Sequence, residues 1–168
     1  MTDRIRPDIR PVEQADAFSI GQIYCGAWKE AYRDLLPHSY LDSLTPDRWA
    51  SLYTDPCRTA LALWDSGRPV GIVSYHQGRQ KGLESWGEIS SIYLLPCCWG
   101  RGYGSLLLRE ALERLAQMGF DKVYLWVLQG NSRAIRFYER QGFVFSGDTL
   151  ETAIGGQKVT ELRYIQQL

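Results

Sequence analysis

Residues 99–112 read WGRGYGSLLLREAL, and they place three glycines directly before an amphipathic helix. The glycines are Gly100, Gly102 and Gly104, and the apolar residues that follow recur at helical spacing on one face. A helix N-terminus presents unpaired backbone N–H groups and a partial positive charge, which favour a bound anion. Glycine lacks the Cβ that would keep a phosphate away from this backbone. The stretch therefore predicts a diphosphate cradle, with a purely structural strand-to-helix turn as the alternative.

Strands and helices alternate with turns along the rest of the chain. The predicted strands are residues 5–12, 59–64, 70–75, 88–95, 122–128, 143–152 and 158–165. The predicted helices are residues 15–31, 38–43, 46–53, the quoted helix as far as Met118, and a helix that Asn131 caps and Gly142 closes. This order predicts one domain over residues 1–168, of the α/β or α+β class, built on a mostly antiparallel sheet.

Charge and composition exclude several classes of function. Of the 168 residues, 19 are Lys or Arg and 19 are Asp or Glu, so the net charge is zero. A general nucleic-acid binder would carry a basic surplus. No apolar run approaches the ~20 residues of a membrane span, and the N-terminus MTDRIRPDIR lacks the apolar stretch of a secretory signal. We therefore expect a cytoplasmic protein without nucleic-acid or membrane partners.

The cysteines and histidines do not form a metal-binding pattern. The cysteines are Cys25, Cys57, Cys97 and Cys98, and the histidines are His38 and His76. Structural zinc sites repeat close pairs of Cys or His, and no second pair accompanies the adjacent cysteines. We expect no metal, and free thiols in a reducing compartment.

The two common nucleotide-binding motifs do not fit the glycine stretch. A phosphate-binding P-loop needs the pattern GxxxxGK[ST], which the chain lacks. The dinucleotide fingerprint GxGxxG would need a glycine at position 107, where the chain has Leu107. The cradle is therefore expected to hold a diphosphate of another kind.

Two motifs together resemble a known family. Residues 99–104, WGRGYG, resemble the acetyl-CoA pyrophosphate loop [QR]-x-x-G-x-[GA] of the GNAT family of N-acetyltransferases, with Trp99 in place of Gln or Arg. Residues 131–143, NSRAIRFYERQGF, resemble the family's second motif, N-x-x-A-x-x-x-Y-x-x-x-G-F. Residues 27–44 and 154–164 resemble a bacterial subgroup of small acetyltransferases. The resemblance implies an acyltransferase with acetyl-CoA as co-substrate, and a sheet of about seven strands, splayed at the acetyl-CoA site, with flanking helices.

The resemblance also implies which residues hold the co-substrate. The pyrophosphate would be bound by backbone N–H groups of the loop and the helix start, at Arg101, Gly102, Tyr103, Gly104 and Ser105. The pantetheine arm would pair with the free backbone of a splayed strand ending in Tyr93, Leu94 and Leu95. An N–H group near Leu94 would support the oxyanion. Asn131 would contact the same arm, cap a helix, or do both.

Two residues are expected to move protons. Tyr138 would be the general acid toward the CoA sulfur, because thiol and phenol pKa values are close; the alternative is a core aromatic residue. Glu88, at the start of the strand beside the thioester, would be the general base through a water, and the alternative is an ordinary strand-end carboxylate. Some family members carry a glutamate where this chain has Trp126.

An acceptor pocket is implied between the first two helices and the last hairpin. Its expected residues are Trp28, Glu30, Tyr32 and Tyr40. Aromatic faces and carboxylates there would suit an ammonium group, in a small molecule or a peptide. The equal alternative is a packed helix pair with a polar rim.

Three functional hypotheses and one assembly question remain open on the sequence. The first is direct acetyl transfer to a primary amine. The second is a non-catalytic CoA-binding regulatory module of the same fold, and the third is a protein-interaction domain with a structural glycine loop. A homodimer that pairs or packs through residues 158–165 is also an open alternative.

Overall fold

The centre of the molecule is a sheet of seven strands, seen in a computed structural model that describes residues 7–54 and 59–168. The strands are β1 (Asp8–Pro11), β2 (Ala60–Asp65), β3 (Arg68–Gln77), β4 (Gly87–Leu94), β5 (Lys122–Leu128), β6 (Val144–Ile154) and β7 (Gln157–Gln167). Their spatial order is β1-β2-β3-β4-β5-β7-β6, and each neighbouring pair is antiparallel except β4 and β5. The predicted mostly antiparallel sheet is confirmed. The first two residues of the strand predicted at 5–12, and Cys57, lie outside the described residues.

Five α-helices flank the sheet in the described ranges. They are α1 (Ala17–Ala31), α2 (His38–Asp42), α3 (Asp47–Ala50), α4 (Tyr103–Gln117) and α5 (Ser132–Arg140). The helix predicted at 46–53 is only α3, because residues 51–54 tighten into a 3-10 segment. In the described ranges, no helix is both long enough and apolar enough to cross a bilayer.

Helices cover both faces of the sheet and bury two apolar clusters. Against one face, α4 packs Leu107, Leu108, Ala111 and Leu115, which are all fully buried. Against the other face, α1 packs Ile20 and Ile23, which are also fully buried. A fully buried leucine or isoleucine stabilises the fold by about 1.5–3 kcal/mol. These two layers fix the position of the β4–β5 junction between them.

The parallel strands β4 and β5 separate soon after they begin. Their pairing is confined to Gly87 with Val123 and Glu88 with Tyr124, although β4 runs on to Leu94. The register between β3 and β4 also shifts opposite Ser74 and Tyr75, which adds a bulge to β4. The rest of β4 therefore has one edge without a strand partner, and the predicted splay is confirmed.

The last hairpin turns at Gly155 and Gly156, both at positive φ. The hairpin is longer than predicted, and its second strand, β7, lies between β5 and β6. Both edges of β7 are thus occupied within the chain. The expectation that residues 158–165 could pair edge to edge with a second subunit is wrong, and packing between subunits stays a prediction.

Candidate active site

A cavity of about 590 Å³ opens where β4 and β5 separate. Its walls come from β4, the glycine loop, the first turn of α4, the end of β5 and α5. The residues from the sequence prediction that line it are Tyr32, Tyr93, Leu94, Gly102, Tyr103, Gly104, Ser105, Asn131 and Tyr138. The two motifs, which lie far apart in the sequence, therefore share one cavity.

The glycine loop presents free N–H groups to this cavity. Gly102 is the N-cap of α4 at φ 80°, and no side chain caps the helix. The N–H groups of Tyr103, Gly104 and Ser105 precede the first residue that can bond within the helix, so they are available to a ligand. The Tyr103 hydroxyl instead points away, donating to Asp65 over 2.9 Å. The helix start thus has the donors and the partial positive charge that a pyrophosphate requires.

Arg101 does not line the cavity. Its side chain is more than half exposed and lies 3.9 Å from the Asp65 carboxylate. The guanidinium therefore lies beside Asp65 at the end of β2, and the expected binding of pyrophosphate by the Arg101 backbone N–H stays a prediction.

Along β4, the backbone N–H groups point alternately toward β3 and toward the gap between β4 and β5. The Leu95 N–H donates to the Val70 carbonyl of β3 over 2.9 Å, and Leu95 does not line the cavity. Since successive residues of a strand point their N–H groups to opposite sides, the Leu94 N–H points into the gap between β4 and β5. The Leu94 N–H is therefore available as the expected oxyanion donor, whereas the Leu95 N–H is already hydrogen-bonded to β3.

Asn131 and Tyr138 face the same space from α5. Asn131 is buried, and its side-chain oxygen accepts the Ala134 N–H over 3.2 Å, which makes it the helix N-cap. Tyr138 is only 8% exposed and packs its ring against Phe137 and Phe143. Within residues 7–54 and 59–168, the Tyr138 hydroxyl has no hydrogen-bond partner, so it is free to meet a ligand.

Burial keeps the Tyr138 phenol protonated. It raises the pKa of Tyr138 well above the usual phenol range, the nearby Tyr32 raises it further, and the Arg133 charge opposes both. The Tyr32 and Tyr93 hydroxyls hydrogen-bond to each other over 3.1 Å, and burial raises the pKa of each. Three neutral phenols therefore lie together where α1, β4 and α5 approach each other.

Glu88 is not part of this cavity, which corrects the sequence expectation. It lies at the closed end of the β4–β5 pair, is 6% exposed, and does not line the cavity. Its carboxylate accepts hydrogen bonds from the Arg79 guanidinium (2.8 Å), the Arg79 backbone N–H (3.1 Å) and the Tyr124 hydroxyl (2.7 Å). Burial raises the pKa of Glu88, but these hydrogen bonds outweigh it and the net pKa is lowered. The group is a structural anion with a full set of partners.

The expected acceptor residues divide into two groups. Tyr32 lines the cavity, and the Trp28 ring packs against the Tyr32 ring with 4.8 Å between their centroids. Glu30 points elsewhere and pairs with Arg33, while Tyr40 packs against Gly155 of the last turn. The indole N–H of Trp28 is buried without a partner among the described residues.

A shallower depression of about 350 Å³ lies beside the cavity. It is formed by the α1–α2 connection at Asp34 and Leu35, the end of β5 and residues 157–160. These are the two segments expected to wall an acceptor pocket. Glu161 follows them, half-buried, and burial raises the pKa of its carboxyl. Cross-strand pairing of Leu128 with Glu161 and of Trp126 with Arg163 puts these side chains on the face that α1 covers.

Sequence reasoning missed Arg133 and the role of Trp99. Both line the cavity, and the Arg133 guanidinium carbon lies 3.3 Å from the centroid of a Trp99 ring. Arg133 occupies a variable position of the second motif, so the motif alone gave no signal for it. Trp99 was noted only as a departure from the loop pattern.

Comparison with known proteins identifies the family. A family model described as Acetyltransferase (GNAT) family matches residues 22–143, a range that contains every residue lining the cavity. The chain belongs to the GNAT family of acetyltransferases. The resemblance seen in residues 99–104 and 131–143 is thereby confirmed, and with it the acyltransferase class.

Relatives and solved structures agree with this GNAT assignment. An uncharacterized N-acetyltransferase of Mycobacterium tuberculosis (strain ATCC 25618 / H37Rv) is 36% identical over 110 residues, which cover 65% of this chain and 68% of the relative. The uncharacterized N-acetyltransferase YuaI of Bacillus subtilis (strain 168) is 29% identical over 137 residues, 78% of this chain and 76% of YuaI. The PaiA N-acetyltransferase of Thermoplasma acidophilum, solved in complex with coenzyme A, has a TM-score of 0.79 at 17% identity, covering 98% of this chain and 100% of that one. This last likeness shows the shared fold.

Proposed function

We propose that this GNAT protein transfers the acetyl group of acetyl-CoA directly to a primary amine of a small molecule or peptide. One observation carries the proposal: free N–H groups at the start of α4, the unpaired edge of β4 and the free Tyr138 hydroxyl all face one cavity. A CoA-binding regulatory module would need the N–H groups and the unpaired strand edge, but it would not need the Tyr138 hydroxyl. We further propose that residues 1–168 act as one domain in the cytoplasm.

The cavity has the donors that acetyl-CoA requires. The N–H groups of Tyr103, Gly104 and Ser105 would hold the pyrophosphate, and Asn131 would contact the pantetheine arm. The arm would hydrogen-bond to backbone groups of β4 that face the gap, as an added strand would. When bound, acetyl-CoA supplies a thioester, an acyl group activated toward attack by an amine.

Two groups of the protein would act on the reacting atoms. The Leu94 N–H points into the gap and would stabilise negative charge on the carbonyl oxygen as the amine adds. The Tyr138 hydroxyl would give its proton to the sulfur as the carbon–sulfur bond breaks, and it would regain a proton through water as the nitrogen of the new amide loses one. Burial raises the pKa of Tyr138, and the same desolvation raises that of a thiol in the cavity, so proton transfer between them stays feasible.

No carboxylate lines the cavity within the described residues. With Glu88 held by Arg79 and Tyr124, the proton of the acceptor ammonium would leave to water through the open mouth of the cavity. The acceptor would therefore be selected by the aromatic side chains of Tyr32 and Trp126, with Trp28 packed against Tyr32, and by its own tendency to lose a proton.

The test has a binding stage and a transfer stage. A thermal-shift titration with acetyl-CoA, against ATP and NAD as controls, should show a selective rise in Tm of a few degrees at about 100 times the Kd. CoA release is then followed with a thiol reagent over a panel of polyamines, amino acids, aminoglycosides and peptides with free N-termini. Binding without release for any amine would favour the regulatory module, and no binding would overturn the proposal.

A further inference from the structure

An arginine–tryptophan stack closes one side of the cavity. The guanidinium carbon of Arg133, in the first turn of α5, lies 3.3 Å from the centroid of a Trp99 ring. Trp99 is itself fixed, because its indole N–H donates to the Leu94 carbonyl over 3.0 Å. Because the hydrogen bond fixes Trp99 and the Arg133 guanidinium stacks on its ring, the Arg133 side chain is held near one orientation before any ligand binds.

Arg133 has no anionic partner in the part of the chain that the structure describes. The arginines 33, 79, 101, 114 and 163 each lie within 4.0 Å of a carboxylate, and Arg133 does not. Burial lowers the pKa of its guanidinium, and the nearby Tyr32 and Glu30 oppose that shift without forming an ion pair. The cavity beside it is lined without a carboxylate. Arg133 is exposed at the cavity, so its guanidinium is open to an anion that enters from solvent.

The same cavity contains the start of α4, four residues after Trp99 in the sequence. There the free N–H groups of Tyr103, Gly104 and Ser105 already favour an anion. A guanidinium is planar and can donate two parallel hydrogen bonds to a phosphate, and it is always charged. An anion in this cavity would therefore have donors from the α4 start and a positive charge from α5.

We propose that Arg133, held in place by Trp99, binds a phosphate of the CoA moiety and is a determinant of affinity for the phosphorylated co-substrate. The inference rests on the proposed function, because it takes acetyl-CoA as the ligand of the cavity. It assigns the binding role to a residue of α5, outside the glycine loop, and it makes Trp99 a positioning residue for that role.

Arg133→Met tests the phosphate contact by keeping the aliphatic bulk and removing the charge. Isothermal titration should show acetyl-CoA binding weakened by about tenfold or more, the loss typical of a charge-assisted contact. S-acetyl-pantetheine, which has no phosphate, should change by less than about twofold in a high-concentration thermal-shift assay. Arg136→Met is the matched control, since Arg136 is exposed on the same helix and does not line the cavity.

Two further measurements separate a phosphate contact from packing. The Kd of acetyl-CoA should depend less steeply on NaCl between about 0.05 and 0.5 M in Arg133→Met than in wild type and Arg136→Met. Trp99→Leu should weaken acetyl-CoA binding by a smaller factor, about threefold, because the guanidinium remains but is less ordered.

The failure of this inference can be told apart from the failure of the proposed function. Unchanged acetyl-CoA affinity in Arg133→Met, an unchanged salt dependence, or equal losses for both ligands would overturn the phosphate contact while wild type still binds and transfers. If wild type fails to bind acetyl-CoA at all, both proposals are overturned. A melting curve of each variant, recorded by circular dichroism, identifies any loss that comes from unfolding.

Discussion

Glu88 and Tyr124 are paired across the last rung that joins β4 to β5, and the Tyr124 hydroxyl donates to the Glu88 carboxylate over 2.7 Å. Beyond this rung the strands separate and the cavity begins. Burial raises the pKa of Tyr124, and this hydrogen bond raises it further, to about 12. With Arg79, the pair fixes the closed end of the opening, so we expect Glu88 to contribute to stability and not to chemistry.

We expect Glu88→Gln to lose stability and keep activity. The substitution removes a charged acceptor of four hydrogen bonds, so the free energy of unfolding at pH 7 should fall by about 1–3 kcal/mol. The folded pKa of Glu88 is lowered, so its stabilisation is present above the unfolded pKa and lost as pH falls through the folded pKa. Urea unfolding at pH 7 and in acid should therefore show the difference between variant and wild type shrinking. A large loss of kcat in the folded variant would restore Glu88 as a candidate base.

Gly102→Ala should weaken acetyl-CoA binding. Gly102 and Gly67 share φ 80°, and a Cβ at either would meet open space, so alanine strains both backbones equally. Each variant should lose about 1 kcal/mol of stability. Only Gly102→Ala should also lose acetyl-CoA affinity, by about tenfold, because the backbone strain there moves the N–H groups of the α4 start. Equal affinity in Gly67→Ala and Gly102→Ala, measured by titration calorimetry, would contradict the cradle.

The rising limb of the pH profile of kcat/KM should follow the pKa of the acceptor amine. Since no carboxylate lines the cavity within the described ranges, we expect solvent to deprotonate the reacting amine. Two acceptors whose amine pKa values differ by about 2 should give kcat/KM profiles whose inflections differ by a similar amount. A shared inflection, independent of the acceptor, would reveal a titrating group of the enzyme and contradict the water route.

Glu161→Gln should stabilise the protein at neutral pH. Burial raises the pKa of Glu161, and within the described residues its carboxylate has no hydrogen bond or ion pair. The charged form is therefore disfavoured in the fold, and stability should rise as pH falls through the raised pKa. We expect a Tm increase of about 2 °C for Glu161→Gln at pH 7, and none for the exposed Glu151→Gln on β6. A lower Tm would mean that Glu161 has a stabilising partner.

Most of the fold could be predicted because its signals are local. The apolar, β-rich run of residues 122–128 and the Gly155–Gly156 turn each specify their own element, and β5 has the predicted bounds. The role of Glu88 could not be predicted, because its partners lie in a polar loop (Arg79) and on a strand 36 residues away (Tyr124). The sequence does not specify the register of a parallel strand pair.

The glycine loop and the second motif could be assigned to one site because each has a fixed spacing. Arg133 has no such signal, since its importance arises from a contact with Trp99 across the cavity. Leu95 was expected to bind the pantetheine arm because the splayed strand was predicted to end there. The N–H groups of a strand point alternately to its two sides, and the Leu95 N–H donates to β3 instead. These differences all come from tertiary contacts, which a single sequence does not encode in its local pattern.

Tyr138→Phe tests the central claim most directly, because it removes one oxygen atom from the cavity and leaves the ring packing intact. With the best acceptor from the amine panel, kcat should fall by about tenfold or more while the Kd of acetyl-CoA changes by less than about twofold. Tyr164→Phe is the matched control: it removes a phenol that donates to Glu139 outside the cavity, and it should keep its kcat. An unchanged kcat in Tyr138→Phe would contradict Tyr138 as the acid, and an equal loss in both variants would assign the effect to stability.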